Sequence, residues 1–328
     1  MRIPSIAIAA LAGAAVAASA GAARAADTVI ATTPRPTAID AYDGRVVWSS
    51  YDPSIDAYRL TEWADGSARA LPVPPRGEPF DVDLGPDARG ATLAVYSRCR
   101  REPRHAFELD GRHGCDLYAY SFASGREFRI PGANSGADEY YPAVWKTRVA
   151  FTRAYKRDHG ARRLLYWRPF AGPGDSQRLK RGPTAPEHAP GGLDLRGRRV
   201  PFVWLFDYGG QVRLDATTGS EKMIARIPGS GAALNERAAY GPTMVGDRVY
   251  WLLSNYGEAG DFSEIWRYDL SRERSERAST RIPRPAVGFV QDGSTSYFVA
   301  LPDLSRPGSA PYEIHRRDGL RFAPIRTR

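Results

Sequence analysis

The 328-residue chain has little of several things that would direct a reading. It holds two cysteines, three methionines, five histidines and only four lysines, at 146, 156, 180 and 222. Two cysteines exclude a disulfide-framed miniprotein. No His-Glu-x-x-His pair, no Gly-x-Ser-x-Gly elbow and no glycine-rich phosphate loop occurs, so the common metalloprotease, serine hydrolase and nucleotide-binding signatures are missing. Helical periodicity is nearly absent, and the 26 prolines are spread evenly. Each proline inside a helix would cost about 3 kcal/mol, which excludes long helices. The longest apolar run, Ile6 to Ala20, is mostly alanine. It is shorter than the roughly 20 residues needed to cross a bilayer as a helix.

What remains is 42% hydrophobic and 11% aromatic, enough to build a large core and too much for a disordered chain. Basic residues exceed acidic ones, 46 to 37, for a net charge of +9. Arg2, the alanine-rich run and the small residues Ala23-Arg24-Ala25 have the layout of a signal peptide cut after residue 25. Residues 1–25 are therefore expected to be removed, leaving a secreted or periplasmic protein. No cysteine precedes position 99, so no lipidated N-terminal cysteine is expected, and no later apolar run is long enough to span a bilayer, so no transmembrane anchor is expected.

A repeat runs through the rest. Apolar strands entered through Gly- or Asp-containing turns start at Arg45, Thr92, Arg148, Arg198, Arg248 and Thr295, at intervals of 47, 56, 50, 50 and 47 residues. Each is followed by a second strand of period two, rich in Tyr, Trp and Leu: Tyr58–Trp63, Asp116–Phe122, Leu164–Phe170, Gln211–Asp215, Glu264–Leu270 and Tyr312–Arg317. A tight turn comes next, such as Asp65-Gly66, Ser124-Gly125 or Asp318-Gly319, and then a short polar strand. Apolar segments such as Phe80–Leu84, Pro142–Trp145, Gly192–Leu195 and Pro242–Val245 open the units. Four antiparallel strands in about 50 residues make one propeller blade. The fold expected is an all-β, six-bladed β-propeller of four-stranded antiparallel blades over residues 34–328. Seven blades and tandem β-sandwiches are the alternatives. Residues 26–33 either add an outer strand to the last blade or lie across the ring.

The stretch Gly85-Pro86-Asp87-Ala88-Arg89-Gly90-Ala91-Thr92-Leu93-Ala94-Val95-Tyr96 resembles the Pro-Asp-Gly turn and apolar strand of TolB-like and WD-repeat-like propellers. Ile265-Trp266-Arg267-Tyr268-Asp269-Leu270 is similar to their Tyr-Asp-Leu strand end. The resemblance implies a propeller that serves as a scaffold for binding other molecules, and brings no catalytic motif.

Cys99 and Cys115 flank the loop between the second and third strands of the second blade. In an oxidising compartment a disulfide across the base of that hairpin is expected. The rival is a zinc site of Cys99, His105, His113 and Cys115, whose spacing fits no standard structural zinc pattern. Longer connections gather at one end of the blades, in 50–57, 100–114, 152–163, 254–263 and 302–311, where binding usually resides on a rigid scaffold. There Arg100, Arg101, Arg104, Arg157 and Arg162 form a candidate basic patch for an anionic partner. Polar residues before or within the innermost strands, Asp81, Asp83, Asp138, Glu139, Glu187, His188 and Glu236, are candidates to line the channel. Converging there, they could hold Ca²⁺ or serve as an acid–base pair. The function expected is a non-enzymatic, monomeric scaffold with no cofactor, binding a protein, glycan or envelope polymer but no nucleic acid. The alternative is a propeller hydrolase or lyase using channel carboxylates.

Overall fold

The computed structural model describes residues 27–99, 114–155, 162–172, 174–179, 189–206, 209–228, 235–257, 260–301 and 311–325, and among them there is no helix. Strand β1 (Thr28–Thr33) comes first. The first blade is β2 (Ile39–Tyr42), β3 (Arg45–Asp52), β4 (Ala57–Ala64) and β5 (Ser67–Ala70). The second is β6 (Asp83–Pro86), β7 (Thr92–Arg98), β8 (Asp116–Ser121) and β9 (Arg126–Arg129). The third is β10 (Asp138–Trp145), β11 (Arg148–Tyr155), β12 (Arg162–Pro169) and β13 (Gln177–Arg178). The fourth is β14 (Ala189–Leu193), β15 (Arg199–Phe206), β16 (Gly209–Ala216) and β17 (Glu221–Pro228). The fifth is β18 (Asn235–Val245), β19 (Arg248–Gly257), β20 (Phe262–Asp269) and β21 (Arg274–Ala278), and the sixth holds β22 (Ala286–Asp292), β23 (Thr295–Ala300) and β24 (Tyr312–Asp318). Each blade is an antiparallel meander, and the architecture is the six-bladed propeller that the repeat implied.

Why the chain turns where it does is local chemistry. Asp43-Gly44 and Asp65-Gly66 have φ of 54° and 76°, and of 52° and 80°. Two consecutive left-handed residues are what a two-residue hairpin of matching twist requires. Pro142 and Pro242 cannot donate to a ladder, and the inner strands β10 and β18 shift register around them, between Tyr140 and Ala143 and between Tyr240 and Thr243.

The core is divided among the blade junctions. Val47 and Leu60 of blade one pack with Leu84 and Tyr96 of blade two. Leu117 and Ile130 meet Val149 and Phe151. Ala150 and Leu165 meet Val200 and Trp204, Val203 and Val212 meet Val249 and Trp251, and Leu252 and Ile265 meet Phe289 and Phe298. Val290 and Ile314 of blade six meet Ile39 and Trp48 of blade one, which closes the ring. Each sheet thus buries its two apolar faces only against its neighbours. Near the hub the backbones approach so closely that a Cβ at Gly85 would overlap the Val144 carbonyl, and one at Gly241 the Phe289 carbonyl.

Ring closure uses both chain ends. β1 pairs with β24 as the outer strand of blade six, joining Thr28 to Arg316 and Thr33 to Tyr312. The strand after Asp318-Gly319 does not complete that blade: β25 (Phe322–Pro324) crosses to blade five and pairs with β21. With the free edge of β24 taken by β1, the last strand pairs with the edge offered by β21, whose Ala278 faces Phe322.

Cys99 and Cys115 form a disulfide with Cα atoms 3.9 Å apart, closing a separation of 16 residues across the second hairpin. The bond takes both thiols that a zinc site would need. His105 and His113 lie outside the described residues. Replacing both cysteines by serine is expected to lower unfolding stability by about 3 kcal/mol through loop entropy. A urea titration of the native and double-serine proteins measures this, and coincident midpoints would contradict it.

Candidate functional site

The innermost strand of each blade turns one edge toward the channel, where its N–H groups have no neighbouring strand to bond. Side chains of the preceding blade fill that need. Asp40 of blade one accepts the Leu84 N–H of blade two at 2.5 Å. Asp83 of blade two accepts Val144 N–H of blade three at 2.9 Å, and Asp194 of blade four accepts Met244 N–H of blade five at 2.6 Å. Thr243 of blade five continues the pattern to Gln291 N–H at 3.1 Å. The corresponding positions in blades three and six are Ala143 and Val290, whose side chains carry no acceptor. At the six-to-one junction Asp292 instead takes the Gly44 N–H at 2.9 Å.

Three carboxylates thereby lie close enough around the hub for their charges to interact. Burial pushes Asp40 well above the usual carboxylate range, and the charge of Asp194 adds to the shift. Asp83 is pushed up by burial first, then by Asp40 and Asp194. Asp194 rises to about 6 through burial, opposed by the Met244 and Leu195 N–H groups and by Arg196. A cavity of about 230 Å³ opens beside Asp40 and Asp194 on the short-turn face, with Tyr42, Trp145 and Arg196 on its wall. The Arg196 guanidinium lies 4.3 Å from the Trp145 ring centre. No group of three His, Cys, Asp or Glu side chains among the described residues is placed to hold a metal ion, so the Ca²⁺ expectation gains no site there.

Of the residues singled out from sequence, Asp83 belongs to this relay. Asp81 joins blades two and three lower down, accepting the Ser97 N–H at 2.7 Å, the Ser97 hydroxyl at 2.5 Å and the Tyr141 N–H at 2.6 Å. Asp138 accepts the Cys115 N–H at 3.1 Å, next to the disulfide. Glu139 is fully buried, pushed up by that burial, and held by the Ser135 hydroxyl at 2.5 Å and Arg153 at 2.7 Å. These four bond backbone, serine and arginine rather than converging on one another. Glu187 and His188 lie outside the described residues, as do Arg100, Arg101, Arg104 and Arg157. Glu236 and Arg162 fall in β18 and β12, but their side chains are not among those described. Sequence reasoning passed over Asp40 and Asp194, whose only signal is an aspartate interrupting an apolar strand three or four residues before a turn glycine.

A second concavity, of about 540 Å³, lies on the short-turn side between blades two and three. Phe128, Trp167 and Phe170 form its apolar wall, with Phe128 and Phe170 edge to face at 6.2 Å. Arg89, Lys146 and Arg148 border it. Many arginines elsewhere on the blades are matched, as Glu62 holds Arg45 and Arg69, Glu264 holds Arg277 and Arg281, and Glu276 holds Arg267 and Arg274, while Arg35, Arg126, Arg178 and Arg196 have no carboxylate partner among the described residues. No carboxylate pairs with Arg89, Lys146 or Arg148 among the described residues.

No model of a protein family matches the chain, and no curated protein matches it. Solved structures do. A protein of unknown function from Dyadobacter fermentans is 12% identical at a TM-score of 0.56, over 91% of this chain and 99% of its own. A puromycin-hydrolysing peptidase of Mycobacterium tuberculosis is 13% identical at a TM-score of 0.50, over 89% of this chain and 52% of its own. Puromycin hydrolase is 14% identical at 0.50, over 88% and 52%. The chain thus spans about half the length of the hydrolases it resembles. At these identities the likeness shows the propeller fold alone.

The raised carboxyls fix a sign for pH dependence. Asp194 moves from 3.8 to about 6 on folding, so between those values the native protein keeps a proton that the unfolded chain has lost. Stability is therefore expected to fall as the pH rises through about 4 to 6, by at most about 3 kcal/mol from this group. Asp40 and Asp83, raised in the same direction by burial, add to the decline. Asp194→Asn should flatten the fall in urea midpoints across that window, and an unchanged slope would contradict the assignment.

Proposed function

We propose that the protein is an exported, non-enzymatic propeller that binds an anionic partner, a protein segment or an envelope polymer, in the groove between blades two and three. The observation that carries this reading is the set of three cations, Arg89, Lys146 and Arg148, left without carboxylate partners beside an aromatic wall. A partner with carboxylate or phosphate groups on an apolar body would match both features, charge steering the approach and ring burial holding the complex. The disulfide supports an oxidising compartment. No helix among the described residues is long and apolar enough to cross a membrane. The resemblance of the repeat to TolB-like and WD-repeat-like propellers is in keeping with a scaffold.

A hydrolase using channel carboxylates is the weaker reading. Asp40, Asp83, Asp81 and Asp194 each accept a backbone N–H from an adjacent blade, an arrangement that occupies them in holding the ring. The long connections in 100–113, 156–161 and 302–310 lie outside the described residues, so the groove is a site additional to the face first considered.

On a polyanionic resin the protein is expected to be retained at low salt and released steeply as salt rises. Lys146→Glu with Arg148→Glu should weaken binding to a soluble polyanion by about tenfold or more, about 1.4 kcal/mol. Trp167→Ala should weaken it while leaving the salt slope intact. Equal affinity of the charge-reversed and native proteins would refute the groove, and turnover of a peptide or ester panel abolished by Asp83→Asn would refute the non-enzymatic reading.

A further inference from the structure

The groove between blades two and three is not uniform along its length. In a meandering blade the turn after the first strand lies near the hub and the fourth strand lies at the rim. Arg89 and Lys146 sit in the β6–β7 and β10–β11 turns, so they occupy the inner end. Phe128 is on β9, the outer strand of blade two, and marks the rim. Arg148 and Trp167, on β11 and β12, lie between them. Charge is therefore concentrated toward the hub and aromatic surface toward the rim. From the inner turn to the fourth strand is about two and a half strand spacings of about 4.8 Å, roughly 12 Å, the span of about four extended residues.

The two ends ask for different chemistry from one occupant. Phe128 is 38% exposed although aromatic, and it meets Phe170 across the junction at an interplanar angle of 86°. Rings favour edge-to-face and offset contacts with other rings, so a third ring is the group that best continues this pair. A polyanionic glycan would satisfy the cations and leave Phe128 uncovered. At the inner end one carboxylate lines the wall among the described residues, that of Asp87. It is turned into its own loop, where Oδ1 accepts the Arg89 and Ala91 N–H groups, each at 2.8 Å. The negative charge that would neutralise Arg89 and Lys146 is therefore left for the occupant to bring.

Resting on the groove as the binding site, we propose that its occupant is an extended protein segment with an aromatic residue about four residues from a pair of acidic ones. The segment lies along the radius of the ring, its acids at Arg89 and Lys146 and its aromatic side chain against Phe128 and Phe170. Charge complementarity fixes which end points inward, since the reverse placement would set carboxylates on phenylalanine and a ring between two cations.

Fluorescence anisotropy of labelled synthetic peptides titrated with the full chain tests this. The probes carry an Asp-Asp pair and a phenylalanine four residues apart, in both chain orders, with matched peptides that have alanine in place of the phenylalanine. At least one phenylalanine peptide is expected to bind about tenfold more tightly than its alanine match. Phe128→Ala, a change on an exposed outer strand, should abolish that preference while leaving the alanine peptide's affinity as it was. Equal binding of phenylalanine and alanine peptides in both orders would overturn this occupant, as would a preference that survives Phe128→Ala. If a soluble polyanion still lost affinity on Lys146→Glu with Arg148→Glu, the groove would then stand as a polymer site. Indifference of both peptides and polyanion to that charge reversal would overturn the groove itself, and this occupant with it.

Discussion

A side chain on the innermost strand of one blade accepting a backbone N–H from the next is the contact on which the rest of this structure depends. A propeller removes most sheet edges by stacking, but the inner strands still present an edge to the hub, and a buried N–H without an acceptor costs about 1–3 kcal/mol. Asp40, Asp83, Asp194 and Thr243 supply acceptors at four junctions, and Asp292 supplies one nearer the surface. Glycines 85 and 241 let adjacent backbones come close enough for the relay to reach. The consequence for function is direct. Asp81 and Asp83, two of the candidates offered by the sequence for the channel, each accept an N–H from blade three, and burial beside Asp40 and Asp194 raises the proton affinity of Asp83.

Much of this was legible in the sequence because the blade is a local object. Period-two alternation in Arg45–Asp52 or Tyr312–Asp318, and Asp-Gly pairs at 43–44 and 65–66, depend on neighbours a few residues away. The disulfide followed from two cysteines flanking one hairpin. Closure was only half legible, since β1 and β25 pair with strands far along the chain and either could have matched either free edge. Asp40 and Asp194 escaped because their partners, Leu84 and Met244, sit 44 and 50 residues away and are donors by backbone alone, leaving no side-chain signal.

The charged residues sort into two populations. On the outer strands arginines and glutamates neutralise one another, as Glu62, Glu264 and Glu276 each do with two arginines. In each of these pairs the carboxylate is buried and the arginines reach it from a partly exposed position. Among the described residues pairing fails at the groove bordered by Arg89, Lys146 and Arg148, and also at Arg35, Arg126, Arg178 and Arg196, so what sets the groove apart is its aromatic wall beside three cations.

Native-state hydrogen exchange at the Val144 amide tests the hub relay most directly. If Asp83 holds that N–H, the amide exchanges only with global unfolding in the native protein. In Asp83→Ala its protection falls by about tenfold or more, while Gln291, held by Thr243 across the ring, keeps its own. A Val144 amide that exchanges as fast as a surface loop in the native protein, or that is indifferent to loss of Asp83, would contradict the account.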